Sequence, residues 1–391
     1  MKHGMHVQPT DTPPDRERRS LMFIRSVILV LLSVFAAGSA SAQLTGGRLA
    51  AVSGNVWVTA PGVDETRARV GEQLEPGTKI RTGPNGQAEV SFEDGSILIV
   101  QSNSSMVLSG IKRQQKKKTS ILIFFGRIWN KVSRKLGERA SYEVNTPIVV
   151  AGVRGTEFEA AVGEDGSVRI LVNSGIVNVS DDRHDDTVGA GEEVEADVDG
   201  VGQVTDAEER PDWEQWRNQK RDRVRQQGRD IIDKFKHRIL NRKEKLEDLR
   251  HRQQEIETLR RDAVERARAG DSEAIEEIRR YNQQLVAIAD EIADLGDAAG
   301  SQFGLVDHFA DLASDPKFQM IDGKYVEAEA ASMRRIKAMF DKMIAEGTDI
   351  SMEAMEKMLR EMSEGQRGSL KFRKGSSAED LWGQDENDLK P

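Results

Sequence analysis

The feature that most constrains this chain is an abrupt change of texture near residue 206. Residues 44–205 are rich in Gly, Val, Ile and Thr and carry few helical periods. Residues 206–364 are rich in Glu, Arg, Ala, Gln and Leu. The first block reads as short strands and the second as long helices. The expectation is an α+β multidomain chain: an N-terminal all-β domain, solenoid-like or a sandwich, followed by an α-helical coiled-coil hairpin region. A length of 391 residues suits two or three domains. With 31% charged and 5% aromatic residues, one compact domain joined to solvated helices fits better than a single large globule.

The β block is punctuated by glycine. A Gly followed by alternating apolar residues opens at Gly54, Gly126 and Gly175, and a Gly-x-x-apolar unit recurs at Gly71 and Gly191. Glu-Asp-Gly-Ser occurs at 93–96 and again at 164–167. Asp-Gly supplies the positive φ of a tight hairpin turn without steric cost. Residues 87–92 and 97–101 are therefore expected to pair as one hairpin, and 158–162 and 168–172 as another. The repeated Gly-x-apolar-x-apolar unit leans toward stacked, solenoid-like coils, with a plain sandwich close behind.

In the helical block, Ile232, Phe235, Ile239, Leu246, Leu249 and Ile256 fall on a heptad seam that Arg242, Gln253 and Arg260 interrupt. Residues 269–272 break the helix. A cleaner seam follows at Ile278, Tyr281, Leu285, Ile288, Ile292 and Leu295, which suggests an antiparallel hairpin over 206–300. Residues 301–364 read as short helices, with Met333, Ile336, Met339, Phe340 and Met343 on one face and Met352, Met355 and Met358 on another. Residues 365–391 read as a disordered tail.

At the N-terminus, Arg16, Arg18, Arg19 and Arg25 precede an apolar run at 27–37, small residues and then Gln43. This is the pattern of a secretory signal peptide over 1–42, cleaved after Ala42, with an uncleaved anchor as the alternative. The expected location is periplasmic or otherwise extracytoplasmic. The chain has no cysteine, so disulfides, thiolate metal sites and cysteine nucleophiles are excluded. The net charge is −9, and residues 1–42 carry five basic and three acidic side chains, so their removal leaves the chain more acidic still. Such a chain repels nucleic acid overall.

The most specific stretch runs Asn145-Thr146-Pro147-Ile148-Val149-Val150-Ala151-Gly152-Val153-Arg154-Gly155-Thr156-Glu157-Phe158. It resembles the signature of FecR-type domains, in which a Thr-Pro step leads into Ala-Gly-Val-Arg-Gly-Thr-x-Phe. The opening strand at Gly54, the turn at Pro76-Gly77 with Ile80 to Gly83, the Asp94-Gly95-Ser96 hairpin and the closing Gly175 resemble the family in order, over about residues 47–198. The resemblance implies an extracytoplasmic β module used in sensing or scaffolding. The family's best-known members relay iron-transport signals through a cytoplasmic anti-sigma segment before a single span; here only about twenty residues precede the apolar run. Thr146, Pro147, Gly152, Arg154, Gly155 and Thr156 are the binding or structural motif. Pro147 suits a strand start or edge, Gly152 and Gly155 suit a bulge or close backbone approach, and Arg154 is read as a buried clamp, with an anion grip as the alternative.

Residues 112–139 carry ten basic side chains and one acidic one. Lys116, Lys117, Lys118, Arg127, Lys131, Arg134 and Lys135 form a candidate contact for an anionic surface, against the plainer reading of a solvated loop and edge strand. The aromatics among them, Phe124, Phe125 and Trp129, fit strand alternation better than base stacking. The acidic run 181–186 lacks the ligand register of a calcium loop and reads as a polar turn. Glu157 and Glu159 share a strand face but make a weak acid/base pair. No cofactor is expected and no catalytic set emerges. The expected function is a non-catalytic ligand- or partner-binding or signalling module of the bacterial cell envelope, with a structural envelope or cell-wall scaffold as the alternative. A protein partner or envelope polymer is expected, and a homo-oligomer could form through the coiled coil.

Overall fold

The computed structural model describes residues 46–113, 116–134, 140–181, 183–209 and 211–369, with side chains described outside 110–117, residue 140 and 348–369. The signal peptide, Lys135 and residues 370–391 of the expected tail lie outside the described residues. The architecture is mixed, a strand-rich N-terminal region followed by three helices.

In chain order the strands are β1 (Gly47–Ser53), β2 (Val56–Thr59), β3 (Thr66–Arg67), β4 (Gln73–Leu74), β5 (Thr78–Thr82), β6 (Gln87–Phe92), β7 (Ile97–Val100), β8 (Ser105–Arg113) and β9 (Lys116–Lys131). Then follow β10 (Ala140–Asn145), β11 (Val150–Val153), β12 (Glu157–Val162), β13 (Val168–Ser174), β14 (Ile176–Ser180), β15 (Asp185–Gly189), β16 (Glu192–Asp197), β17 (Gly200–Val201) and β18 (Thr205–Asp206). They form two sheets. One runs β4-β1-β6-β7-β9-β12-β13-β16, with β17 and β18 at its end. The other runs β3-β2-β5-β8-β9-β10-β11-β14-β15. Pairing is antiparallel except between β9 and β10.

The sandwich is the outcome of the choice that the sequence left open, and β9 shows how it closes. Its first part pairs with β8 in one sheet, and from Gly126 onward it pairs with β12 in the other. Gly126 has φ +103, and a Cβ there would lie 2.3 Å from Ser104 Oγ, so only glycine lets the strand change sheets at this point. Strict alternation turns Leu49, Val90, Leu98, Ile128, Phe158 and Ile170 of one sheet toward Val58, Ile80, Met106, Ile121, Ile123 and Val177 of the other, in one continuous core.

Both expected hairpins form, β6–β7 and β12–β13. The pairing scheme repeats: β2-β5-β8 with β1-β6-β7 in the first half is matched by β10-β11-β14 with β9-β12-β13 in the second.

The helices are α1 (Trp213–Arg268), α2 (Glu273–Ser314) and α3 (Gly323–Ser369). Asp212 caps α1 by accepting from the Gln215 amide at 2.9 Å, and Gly270, at φ +101, ends the turn beyond it. Arg266 meets Glu277, Arg242 donates to the Ala298 carbonyl at 3.1 Å, and the Phe235 and Phe309 rings lie 5.9 Å apart. Contacts that climb one helix while descending the other make α1 and α2 an antiparallel hairpin. Helix α3 returns parallel to α1, with Tyr325 on Asp233 at 2.7 Å, Lys236 on Glu329 at 2.7 Å and Gln253 on the Gly347 carbonyl at 2.7 Å.

Two expectations need correction here. The boundary at 300 falls inside α2, and residues 301–364, expected as short helices, are the end of α2 and most of the long α3, which runs on to Ser369 inside the expected tail. Gly296, Gly300 and Gly304 weaken the helical signal by about 1 kcal/mol each, yet they are where neighbouring side chains press closest, so packing keeps the helix intact. On α3, Met333 and Phe340 are buried while Met339 is 50% exposed, so the methionine stripe is not one uniform face.

Candidate binding site where helices meet the sandwich

Strand β9 is covered on both sides. Ile121 and Ile123 point into the sandwich, and Leu122 and Phe124 point out, beneath α2. A Cβ on Gly300 would sit 2.8 Å from Leu122, and one on Gly304 would sit 2.3 Å from Phe124. Two glycines one turn apart thus open the groove that takes these side chains, each burial contributing about 1.5–3 kcal/mol. Phe125 stacks on His308 of α2 with centroids 3.8 Å apart. Phe124 and Phe125 of the basic stretch are therefore docking groups for a helix.

Polar contacts fix the register of this joint. Asp297 accepts from Ser109 Oγ at 2.8 Å and Ser120 Oγ at 2.7 Å, and Asn145 Nδ2 donates to Ser120 at 3.0 Å. Burial raises the Asp297 carboxyl above the ordinary range, against the two serine bonds. Burial of His308 pushes its imidazole down to about 3, and its Nε2 is shielded from solvent with no hydrogen-bond partner. Sequence reasoning missed this joint. The available signal was an acid and two polar residues, Asp297, Ser301 and Gln302, on an otherwise small and apolar helix face.

The Thr-Pro step of the signature lies under the same helix. Thr146 folds onto itself, its hydroxyl donating to the Val149 carbonyl at 2.7 Å and accepting from the Val149 amide at 2.9 Å. The Thr146 and Pro147 carbonyls accept from Ser301 Oγ at 2.8 Å and Gln302 Nε2 at 2.9 Å. Thr156 donates to the Ile176 carbonyl at 2.9 Å. Gly155 has φ +66, and its missing Cβ makes room for the stem of Arg134, 2.4 Å from where that atom would be.

Gly152 is different: it sits in regular register opposite Glu143 and Asn178, where a Cβ would meet only the Asn178 carbonyl at 4.0 Å, so neither a bulge nor a close approach occurs there. Arg154 is exposed, because alternation past buried Val153 turns it outward, so it is not buried as expected. The buried arginine of the sandwich is Arg169, bound by Glu193 at 2.6 Å. The structure thus brings Thr146 and Pro147 to the helix joint and leaves Arg154 on the outer surface beside Ile176, which is 58% exposed.

The basic residues are not gathered into one open surface. Lys118 is held between Glu143 at 2.8 Å and Asp294 of α2 at 2.7 Å; burial alone would lower its pKa, but the two carboxylates hold it above the ordinary range. Arg127 pairs with Glu159 at 2.6 Å, and Lys131 lies 4.0 Å from Glu157. Each carboxylate of the supposed acid/base pair therefore has its own cation. Lys116 and Lys117 lie on β9 opposite Arg113 and Lys112, and Arg134 is exposed. The acidic turn is likewise structural: Asp181 accepts from the Arg183 and His184 amides, both at 2.7 Å, and these bonds outweigh burial and lower its pKa. Among the described residues no group of three His, Cys, Asp or Glu side chains is placed to hold a metal, and no helix is long and apolar enough to cross a membrane.

A second part of the joint is a cleft of about 420 Å³ between the start of α1 and the sandwich. Trp213 is held there by Arg127 and Arg169, 5.1 and 5.3 Å from its ring, and by Trp216 at 6.2 Å. Trp216 donates from Nε1 to Glu195 at 2.8 Å. Below this point α1 covers the second Asp-Gly turn, where Arg221 and Arg223 meet Glu164 at 3.2 Å and Asp165 at 3.3 Å.

Comparison with known families agrees with the resemblance read from the signature. Residues 78–178, spanning β5 to most of β14, match the family model described as FecR protein. Two crystal structures of a "putative anti-sigma factor" from Parabacteroides distasonis are similar at 17% identity, with TM-scores of 0.30 and 0.29; each match covers 33% of this chain. The chain spans 60% of the length of that protein. No curated protein matches the chain. Residues 78–178 therefore make this a chain that carries a FecR domain.

Proposed function

We propose that the chain is an exported, non-catalytic signalling or binding module of the bacterial cell envelope, in which a FecR domain and a docked three-helix bundle act as one recognition unit. The observation that carries this reading is the FecR match over 78–178 together with the packing of α2 on its Thr-Pro step. FecR domains serve regulation, and a protein partner is the natural counterpart of such a unit. The outer edge beside the signature suits that role, since Ile176 offers an apolar side chain, 58% exposed, to whatever approaches. Attachment through the basic stretch has less to rest on, because Lys118 and Arg127 already serve internal carboxylates.

The test combines N-terminal sequencing of the mature protein from cell fractions with photo-crosslinking in cells from positions 154 and 176. The expected result is a chain beginning at Gln43 outside the cytoplasm, with discrete protein adducts from both positions. An intact leader on cytosolic protein would overturn export. Adducts only with envelope polysaccharide would replace signalling by the scaffold role.

A further inference from the structure

The cleft at the start of α1 contains polar groups that the fold does not use. Arg217 is half-buried, lines the cleft, and among the described residues has no hydrogen-bond or ion-pair partner. The acid that feels its charge, Glu164, is bound to Arg221. Glu214, three residues earlier on α1, also lines the cleft and also lacks a partner, although this spacing commonly closes into an ion pair. Across from them stand Ser102 and Asn103, whose side chains make no hydrogen bond that closes the loop. That loop is nonetheless rigid: the Thr82 hydroxyl donates to the Gln101 carbonyl at 2.6 Å and accepts from the Ser104 amide at 2.9 Å. The Trp213 ring is immobilised by two guanidinium groups and a second indole.

We propose that this cleft binds a small zwitterion, a free amino acid or a short peptide, with its carboxylate on Arg217 and its ammonium on Glu214. A cation and an anion on one helical turn, neither paired among the described residues, match a ligand that carries both charges a few bonds apart. Ser102 and Asn103 supply hydroxyl and amide groups to the backbone of the ligand, and Trp213 supplies a flat apolar wall. The cleft volume lies at the low end of small-ligand sites, which favours the amino acid or dipeptide over a longer chain. This inference deepens the binding role given above by naming a ligand class.

Calorimetric titration of the full chain with alanine, alanyl-alanine, N-acetyl-alanyl-alanine and alanyl-alanine amide tests it. The intact zwitterions should bind, and loss of either charge should weaken binding at least about tenfold. Arg217→Gln should weaken the zwitterion and abolish discrimination against the amide; Glu214→Gln should do the same for the acetylated form. Both positions lie on the surface turn of α1, and unchanged thermal melting shows that the variants fold. Alanine against alanyl-alanine separates the two sources of the zwitterion. Equal binding of the blocked forms, no binding of either zwitterion at about 10 mM, or binding that survives both substitutions would overturn the proposal. Discrete protein adducts from position 154 would stand whatever this titration shows, so the two readings fail separately.

Discussion

The two Glu-Asp-Gly-Ser turns share one local structure and live in different surroundings. In each, the aspartate accepts from the serine amide at 2.9 Å and from the serine hydroxyl at 2.8 Å. In each, the glycine is left-handed, at φ +85 for Gly95 and +81 for Gly166. Gly95 faces open space, whereas a Cβ on Gly166 would lie 2.4 Å from Phe235 of α1 and 2.7 Å from Leu305 of α2. Turn chemistry is thus set by four residues, and the use made of the turn is set by what packs on it. The first turn has nothing packed on its glycine; the second is a docking point for the helical bundle.

The comparison breaks most sharply at the glycines. Gly95→Ala should cost about 1–2 kcal/mol, the price of a left-handed alanine. Gly166→Ala adds to that strain a collision with two buried side chains that cannot both move aside, worth about 1–3 kcal/mol more. Urea unfolding of the two variants should therefore show Gly166→Ala as the less stable by about 2 kcal/mol. Equal losses would mean that the bundle does not rest on the second turn.

The next effect separates the halves of the sandwich. Asp297→Ala leaves the Ser109 and Ser120 hydroxyls without their acceptor at a buried joint, at a cost of about 2 kcal/mol. Hydrogen exchange should accelerate in α2 and along residues 118–125 of β9, and stay unchanged in the β6–β7 hairpin. Asp297→Asn keeps one acceptor oxygen and should cost less than half as much. Uniform acceleration through both hairpins would show that the halves open as one.

The division of the chain was legible because composition and period change together near residue 206. The hairpins were legible because Asp-Gly has few conformational alternatives. The FecR signature was legible as a string, but its roles were not. Arg154 looked like a clamp because guanidinium donors suit one, and the strand parity that turns it outward depends on β11 ending at Val153. The basic stretch looked like a surface because the partners of its cations lie far away in sequence: Asp294 stands 176 residues beyond Lys118. The docking of α2 was hidden for the same reason, since Gly300 and Gly304 read as weak points until Leu122 and Phe124 are seen to fill them.

The smallest predicted effect concerns pH and bears on the docked half alone. The imidazole of His308, stacked on Phe125, titrates at about 3 in the folded chain against 6.5 when free. A depressed folded pKa means that its contribution to stability is present above pH 6.5 and is lost as pH falls toward 3. Between pH 7 and 5.5 the loss should be about 1 kcal/mol. Asp297 and Glu164, both raised by burial, act with the opposite sign: their contribution is complete below the ordinary carboxylate range and fades as pH rises through the folded value. His308→Gln should therefore flatten the fall of the urea midpoint between pH 7 and 5.5, while Asp297 and Glu164 keep their opposite trend and gain stability as pH falls. An unchanged slope in this variant would place His308 in contact with water, and with it the edge of the bundle that the second hairpin is supposed to hold closed.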